Sequence, residues 1–429
     1  MKKTVLLLLC LIFLLTGTAL SESLSFSEMQ GAAEALSVAD APALPAEAAE
    51  ETEEMEEAGD AAARKAAVKS FWDMNPDDYD LSDPADQRLI WDLMMQPITV
   101  LDVDQKEHVY PTVAPGIDKK PWKTNTTGEL HGQSQGVRVL EEDTDGDGYV
   151  LIEAYSNDGT KTGDSTMMTL DNARIRGYVK KSLLKTVRPS EKYALLVDKV
   201  RQKLYIFEAG QIIGSLPVST GLNNPKQPYN ETPAGEFIAI SWVGEMVAGT
   251  MRERFSIRIN GGTTIHEVPH RLGADGKTRM YGEFEKELGK KASHACIRVA
   301  RRRNAEGQNM EWLWSNLEKR TKVFVWDDVG RKTVPVDLPD ADMPLFRNME
   351  GGKNYHTDPE CSGVKSKYRP LQGGFTYGDL TKDEYKKLTP CEFCGAPERQ
   401  ETIYERWLFE AAQIGVQPTE EIRRAFGQE

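Results

Sequence analysis

The chain has 429 residues, of which 39% are hydrophobic and 28% charged, and its formal net charge is −14 at neutral pH. At about 100–200 residues per domain, this length allows two to four domains. The composition is that of a soluble protein, and the acidic balance argues against a nucleic-acid partner bound through a basic surface.

The first residues have the features of a secretory signal peptide. Lys2 and Lys3 form a positive start, residues 5–15 form a short apolar run, and Ala19 and Ser21 offer small side chains at the −3 and −1 positions of a cleavage site. The run is too short to favour a membrane span, and an uncleaved anchor is the alternative. We therefore expect a signal peptide at 1–21, a secreted, cell-wall-associated protein, and no stable membrane span after cleavage.

Residues 22–69 are rich in Ala and Glu and almost free of aromatic residues. Such a segment buries too little apolar surface to offset its ordering entropy, so it is predicted to be a disordered acidic linker. A transient helix is the alternative, because Ala and Glu both favour helices.

Residues 87–187 carry short strand-like runs separated by turn signals, which predicts a small all-β domain. The ending Gly177-Tyr-Val179 resembles bacterial SH3-like modules, so the resemblance implies an SH3-like β-barrel. The runs lie at 137–140, 149–152 and 175–179, and the turns at 145–148 and 157–159.

The turn at 143–148 has the acidic pattern of a calcium loop. An EF-hand loop carries a bidentate Glu at its twelfth position. Counting from Asp143 places Ala154 there, with Glu153 one residue early. A tight hairpin turn is therefore the preferred interpretation.

Residues 193–327 are again β-rich and are expected to form a second domain. Met310, Leu313, Trp314 and Leu317 recur at helical spacing and predict one helix. The predicted strands lie at 193–197, 203–207, 212–218, 236–240 and 323–326.

The most informative stretch of this domain is residues 293–298, which read Ser-His-Ala-Cys-Ile-Arg. A free thiol is only a few per cent ionised at neutral pH, so a nucleophilic Cys296 needs a nearby imidazole. His266 and His294 qualify by position, because residues i and i+2 of a strand share a face and His294 would then lie beside the thiol. The alternative is a buried structural thiol with a chance histidine neighbour.

This block resembles the catalytic domain of YkuD-type L,D-transpeptidases, whose signature is a His followed at a distance by Ser-His-Gly-Cys-x-Arg or Asn. Upstream segments at 197–207, 217–221 and 232–237 match the family's earlier strands in order. The resemblance implies that Cys296 is the nucleophile and His266 the general base, with His294 beside the thiol. It further implies an oxyanion hole around His294, Ala295 and Cys296, next to Ser293, and an Arg298 that shapes the site or binds a substrate carboxylate.

Three departures from the family pattern stand out. Ala295 replaces the usual Gly, which costs energy if the position needs a positive φ. Glu267 follows His266 where Gly or Ser is usual, and this acid is expected to steer the imidazole or alter substrate access. The interval between His266 and Ser293 holds 26 residues, which predicts an inserted lid that includes His270, a rival base, and Arg271.

The resemblance implies acyl transfer through a thioester on peptidoglycan stem peptides of the bacterial cell wall, with no cofactor for catalysis. An L,D-carboxypeptidase of the same fold and a non-catalytic wall-binding protein are the alternatives. A cysteine hydrolase acting on an unrelated peptide fits the ordered upstream matches less well.

A second constellation lies near the C-terminus, at 345–397. His356, Cys361, Cys391 and Cys394 supply four ligands at the spacing His-x4-Cys…Cys-x2-Cys, as a tetrahedral zinc site requires. The prediction is a small module with a structural Zn²⁺, and resemblance to modules appended to exported bacterial proteins supports it. A Cys391–Cys394 disulfide or free thiols are the alternatives.

The tail from 401 to 429 has apolar positions at helical spacing, namely Ile403, Trp407, Ala411 and Ile414. It is predicted to form one amphipathic helix that packs on a neighbouring domain. Taken together, the chain is expected to be a mainly β multidomain protein.

Overall fold

The computed structural model describes residues 63–117, 125–143, 145–156, 174–222, 230–331, 338–391, 393–413 and 416–427. The predicted signal peptide, the linker up to residue 62, the turn at 157–159 and Ile414 lie outside the described residues. The chain divides into two units, 1–63 and 64–429, and the features below belong to the second. Within the described ranges, no helix is both long and apolar enough to cross a membrane.

The segment before the first strand packs on the outer face of the large sheet described below. Residues 63–67 are helical, and Lys65 pairs with Asp86 at 2.7 Å, so this end of the predicted linker is held in place. Helix α1 (Pro84–Met94) begins at Asp83, whose side chain accepts a hydrogen bond from the Ala85 N–H. The region predicted to be β from residue 87 therefore begins with a helix. The apolar residues of this helix pack into a core that is shared with the following domain. Those residues are Ile90, Trp91, Leu93 and Met94.

The first β domain is built on a five-stranded antiparallel sheet of order β6-β5-β4-β1-β7. Its core contains Leu101, Val137, Ile152 and Val179. Strands predicted at 137–140, 149–152 and 175–179 are present, while an SH3-like barrel stays a prediction. The strands are β1 (Ile98–Leu101), β2 (His108–Val109), β3 (Leu130–His131), β4 (Gly136–Glu141), β5 (Tyr149–Tyr155), β6 (Arg174–Lys180) and β7 (Leu184–Val187).

The acidic turn at 143–148 joins β4 to β5. Asp147 accepts a hydrogen bond from the Tyr149 N–H, and the two strands pair on either side of the turn, as a hairpin requires. The carboxylates of Asp143, Asp145 and Asp147 approach one another within 4.8 Å, while Ala154 lies inside β5.

The second domain is built on a nine-stranded sheet of order β11-β18-β8-β9-β10-β17-β14-β13-β12, and β15 and β16 form a separate two-stranded sheet. Both faces are covered: in β8, Leu195 and Val197 enter one core, while Ala194 and Leu196 enter the core that contains α1. The strands are β8 (Ala194–Asp198), β9 (Lys203–Glu208), β10 (Gln211–Ser219), β11 (Gly235–Ile238), β12 (Ser241–Ala248), β13 (Met251–Arg258), β14 (Thr264–Glu267), β15 (Arg271–Leu272), β16 (Arg279–Met280), β17 (Ile297–Val299) and β18 (Lys322–Trp326).

The 26-residue interval between His266 and Ser293 contains regular secondary structure. It contains the β15–β16 hairpin and a short helix α2 (Gly282–Glu285), whose Phe284 is buried. Helix α3 (Met310–Asn316) then covers one face of the sheet, close to the helix predicted from the apolar spacing.

The C-terminal region forms a small sheet of order β21-β19-β20-β22, followed by two helices. Ile403, Trp407 and Ala411 are buried against Val200 of the second domain. The tail thus contains two helices where one was predicted, since residues 416–419 lie outside helical structure. The elements are β19 (Pro344–Arg347), β20 (Asn354–His356), β21 (Gly373–Thr376), β22 (Thr389–Pro390), α4 (Gln400–Gln413) and α5 (Glu420–Ala425).

Candidate active site

The fold brings Cys296 and His266 together on two adjacent parallel strands. Ile265 of β14 pairs with Ile297 of β17, so Thr264 and His266 lie on the same face of β14, next to Cys296. The Thr264 hydroxyl donates to the Cys296 Sγ at 3.4 Å. Cys296 is a free thiol of intermediate exposure, whereas His266 is fully buried. The imidazole is therefore shielded from solvent, whereas solvent can reach the thiol.

The tautomer of His266 follows from its neighbours. Its Nδ1 lies 2.7 Å from the Glu267 carbonyl oxygen, which can only accept, so Nδ1 carries the proton. Nε2 makes no regular hydrogen bond among the described residues and lies 3.7 Å from the Glu253 carboxylate. The basic nitrogen is therefore available to take a proton from the thiol.

The electrostatics of this pair favour a thiolate and an imidazolium. Burial by itself would raise the pKa of the Cys296 thiol, but His266 and the Thr264 hydroxyl lower that pKa below its usual value. Burial would likewise lower the pKa of His266, but Cys296 and Glu253 raise it above its usual value. The two opposite shifts stabilise the ion pair, which is the reactive state of a catalytic cysteine.

Two charged residues of this site were not found from the sequence. Glu253 contributes the carboxylate beside His266, and Arg258 of β13 pairs in register with Thr264. Burial lowers the pKa of Arg258, and attraction to the Cys296 thiolate acts in the opposite direction. Both residues lie at the site because β13 pairs with β14 and β14 pairs with β17. This pairing is not encoded in any short sequence motif.

The loop before Cys296 is held by hydrogen bonds from the opposite segment. The Ala295 N–H donates to the Asn230 carbonyl at 2.8 Å, and the Thr232 hydroxyl donates to the Ala295 carbonyl at 3.0 Å. The Ser293 hydroxyl donates to the Cys296 carbonyl. The Ala295 N–H is thus already used, contrary to the expectation that it joins an oxyanion hole.

Ala295 also has φ = 73°, in the left-handed region. The usual glycine of the family motif adopts this conformation at little cost, whereas an alanine is strained there. The expected cost of the Ala for Gly replacement is therefore present in this chain.

His294 differs from the expectation. Residues 294–296 form a bend, and β17 begins only at Ile297, so the predicted strand geometry does not apply. The His294 side chain is exposed, and the groups that act most on the Cys296 thiol are His266, Thr264 and Glu253.

His270 and Glu267 occupy other environments. His270 is buried against the Tyr281 ring at 5.1 Å and is not among the main groups that act on Cys296. The Glu267 carboxylate accepts from the Tyr281 hydroxyl at 3.0 Å, so it points away from His266. The Glu267 backbone carbonyl orients the imidazole. The Glu267 side chain, expected either to steer the imidazole or to alter substrate access, lines a polar pocket with Tyr281.

Arg298 is buried and pairs with Glu287 of the inserted segment, and its guanidinium lies 5.7 Å from the centre of the Phe284 ring. Of its two predicted roles, this geometry favours shaping the site over binding a substrate carboxylate. A polar pocket of about 530 Å³ beside Glu267 offers other cations, namely Arg254, Lys277, Arg279 and Arg301.

The four predicted metal ligands also come together. Cys361 Sγ lies 3.8 Å from Cys391 Sγ, and Cys394 Sγ lies 3.7 Å from His356 Nδ1. Tetrahedral zinc with Zn–S of about 2.3 Å and Zn–N of about 2.0–2.1 Å places its ligands roughly 3.6–3.8 Å apart. All three thiols are free, so no Cys391–Cys394 disulfide is present. The cluster thus has the composition and spacing to hold a metal ion.

The comparisons with known proteins assign a family to one part of the chain. Residues 192–325 match the family model of the YkuD L,D-transpeptidase catalytic domain. No curated protein matches the chain.

Three solved structures are similar to parts of the chain. An L,D-transpeptidase from Xylanimonas cellulosilytica is 20% identical over 33% of this chain and 63% of its own, with a TM-score of 0.23. One from Mycobacterium smegmatis is 12% identical over 45% of this chain and 89% of its own, with a TM-score of 0.24. One from Mycobacterium tuberculosis is 15% identical over 44% and 93%, with a TM-score of 0.25. The chain thus spans less than two thirds of the first of these relatives. By the family match, residues 192–325 form a YkuD-type L,D-transpeptidase catalytic domain.

Proposed function

We propose that this protein is a peptidoglycan L,D-transpeptidase that works through a thioester on Cys296. The observation that carries the proposal is the Cys296–His266 pair, in which the thiol has a lowered pKa and the buried imidazole a raised pKa. A buried structural thiol would have its pKa raised by burial, without a compensating base. The match of residues 192–325 to the family supports the same reaction class.

In the first half of the reaction, the Cys296 thiolate attacks the carbonyl carbon of the L-centre amide in a donor tetrapeptide stem. The C–N bond breaks, the terminal D-Ala leaves, and the His266 imidazolium gives its Nε2 proton to the departing amine. In the second half, an amine of a neighbouring stem attacks the thioester carbonyl, the C–S bond breaks to release the Cys296 thiolate, and His266 takes the proton of the amine. The basic side chains of the pocket beside Glu267 offer binding groups for the carboxylates of the stems.

The oxyanion of each tetrahedral intermediate needs backbone donors. Because the Ala295 N–H donates to Asn230, we assign this role to the N–H groups of His294 and Cys296. Loss of one such donor costs roughly 3–4 kcal/mol in transition-state stabilisation. The hydrogen bonds that the Ala295 N–H donates to Asn230 and that Thr232 donates to the Ala295 carbonyl keep the loop in the conformation that presents these groups.

Acylation by a carbapenem tests the nucleophile. Intact mass should show one covalent adduct on the wild-type chain and none on Cys296→Ala. Cys394→Ala is a matched control, since it removes another half-buried thiol and should keep the adduct. A folded wild-type chain without an adduct would favour a non-catalytic wall-binding protein.

Incubation with a disaccharide-tetrapeptide tests the acceptor. Cross-linked dimers in the product masses would support the transpeptidase. Tripeptide with free D-Ala and no dimer would instead identify an L,D-carboxypeptidase, in which water resolves the thioester.

The wall substrate requires an exported protein, and the signal-like sequence at 1–21 agrees with that location. We further propose that His356, Cys361, Cys391 and Cys394 hold a structural Zn²⁺. With four protein ligands such a site is closed, so it would stabilise the C-terminal module and take no part in the acyl transfer.

A further inference from the structure

A second group of metal-ligand side chains lies in the first β domain. His108 of β2 pairs directly with His131 of β3, and Glu129 precedes His131 by two residues. Directly opposed residues and residues two apart share one face of a strand pair, so the three side chains converge. Val109 and Leu130, on the other face, enter the hydrophobic core of the domain.

The convergence places three ligand atoms within bonding reach of one ion. One nitrogen from each histidine and one Glu129 oxygen lie within 4.8 Å of one another. His108 Nδ1 contacts Glu129 Oε1, and His131 Nε2 lies 3.9 Å from the same oxygen. Two imidazoles and one carboxylate are a known ligand set for Zn²⁺, with the fourth position left open.

The carboxylate of this group is buried, whereas its two imidazoles are partly exposed, and this arrangement suits a bound cation. Glu129 is only 4% exposed, so its carboxylate is shielded from bulk water, as suits a group that binds a metal ion. The His108 and His131 side chains are 42% and 30% exposed, which gives an ion access and gives both rings room to close on it.

The group lies against a turn that leads into the active site. A Cβ added to Gly262 would meet His131 Nδ1 at 2.7 Å, so this nitrogen faces the turn and Nε2 faces Glu129. A Cβ on Gly261 would meet the Gly132 carbonyl at 2.3 Å, which shows how closely the two domains approach here. The turn continues directly into Thr264 of β14.

We infer that His108, Glu129 and His131 form a second transition-metal site, selective for a borderline divalent cation such as Zn²⁺. It is distinct from the cysteine cluster and lies where the first β domain meets the turn before β14. The ligands are harder than three thiolates, so this site should release zinc to a chelator before the cysteine cluster does.

Zinc stoichiometry of the full-length protein tests the inference. After Zn²⁺ loading and removal of free ion, elemental analysis should give two zinc ions per wild-type chain. His108→Ala/His131→Ala and Cys361→Ser/Cys391→Ser should each give one. Glu107→Gln, an exposed acid next to His108, is the matched control and should keep two. Two zinc ions in the folded His108→Ala/His131→Ala protein would overturn the assignment, as would a wild-type chain with a single ion that the cysteine variant loses.

Cobalt spectra provide a second readout that does not depend on folding of the cysteine variants. Co²⁺ at the cysteine cluster gives a thiolate-to-metal charge-transfer band, whereas Co²⁺ at His108, Glu129 and His131 adds only ligand-field bands. Glu129→Gln, which keeps the side-chain shape, should remove those added bands and keep the charge-transfer band. Unchanged spectra in the Glu129→Gln protein would mean that the three residues form only a hydrogen-bonded cluster.

Discussion

Replacing Ala295 by glycine should stabilise the protein. At φ = 73° the alanine Cβ crowds the following carbonyl, which costs roughly 1–2 kcal/mol relative to glycine. Glycine in turn has more freedom in the unfolded chain, which costs about 0.4–1 kcal/mol. Subtracting the middle of the second range from the middle of the first predicts a net gain of about 0.8 kcal/mol, so we expect about 0.5–1 kcal/mol in the free energy of unfolding. Ala295 is partly exposed, so the lost methyl group removes little buried surface.

Thermal unfolding checks this value. For a domain of this size, a gain of about 0.5–1 kcal/mol raises the melting temperature by roughly 1–4 °C. The rate of carbapenem acylation should stay at the wild-type level, because glycine keeps the backbone conformation that presents the Cys296 N–H.

Two other alanines serve as controls. Ala209, at the exposed turn between β9 and β10, has φ = 51°, so Ala209→Gly should also stabilise the protein. Ala292 does not have a positive φ, and Ala292→Gly should destabilise it by about 0.4–1 kcal/mol through the unfolded chain. If Ala295→Gly lowers the melting temperature as Ala292→Gly does, residue 295 is not strained in the way proposed.

Further predictions concern the imidazole, the C-terminal metal cluster and a buried ion network. The Glu253 carboxylate raises the pKa of both His266 and Cys296. Glu253→Gln should therefore move both limbs of the pH profile of kcat/KM to lower pH, while Glu245→Gln on the neighbouring strand should leave the profile unchanged. Cys391→Ser should remove the zinc of the C-terminal module and make that module more sensitive to proteolysis, but the protein should still form the carbapenem adduct. Loss of the adduct together with the zinc would contradict a purely structural role of the metal. Lys199 is fully buried and pairs at 2.6 Å with a buried carboxylate, so Lys199→Met should cost roughly 3–5 kcal/mol in denaturant unfolding. A loss below 1 kcal/mol would show that the network relaxes or admits water.

The sequence predicted the parts of the site that local patterns encode. Cys296 and His266 were found because an ordered set of strands and a short motif accompany them. The cluster of His356, Cys361, Cys391 and Cys394 was predicted because a Cys-x2-Cys pair limits where both thiols can point. The central strands of the second domain were predicted because they are buried on both faces and form short continuous apolar runs.

The parts that depend on strand register were not predicted. Glu253 and Arg258 lie in a hairpin with two irregularities in its pairing, so their positions beside His266 and Thr264 cannot be counted from the sequence. His108 and Glu129 are 21 residues apart and meet only because β2 and β3 pair. The strand geometry expected around His294 is absent for a related reason: the positive φ of Ala295 interrupts the strand on which the prediction relied.

Two segments outside the strands of the site contact arginines near Cys296. From the first β domain, the Gln105 amide oxygen accepts from the Arg258 guanidinium at 3.2 Å in its hydrogen-bonded orientation, and Arg258 in turn interacts with Cys296. From the inserted segment, Glu287 pairs with Arg298, two residues after the nucleophile. Gln105 lies outside residues 192–325, so the position of the Arg258 charge near the thiol depends in part on the first β domain. Changes around Gln105 should therefore alter the reactivity of Cys296, although Gln105 does not contact the thiol.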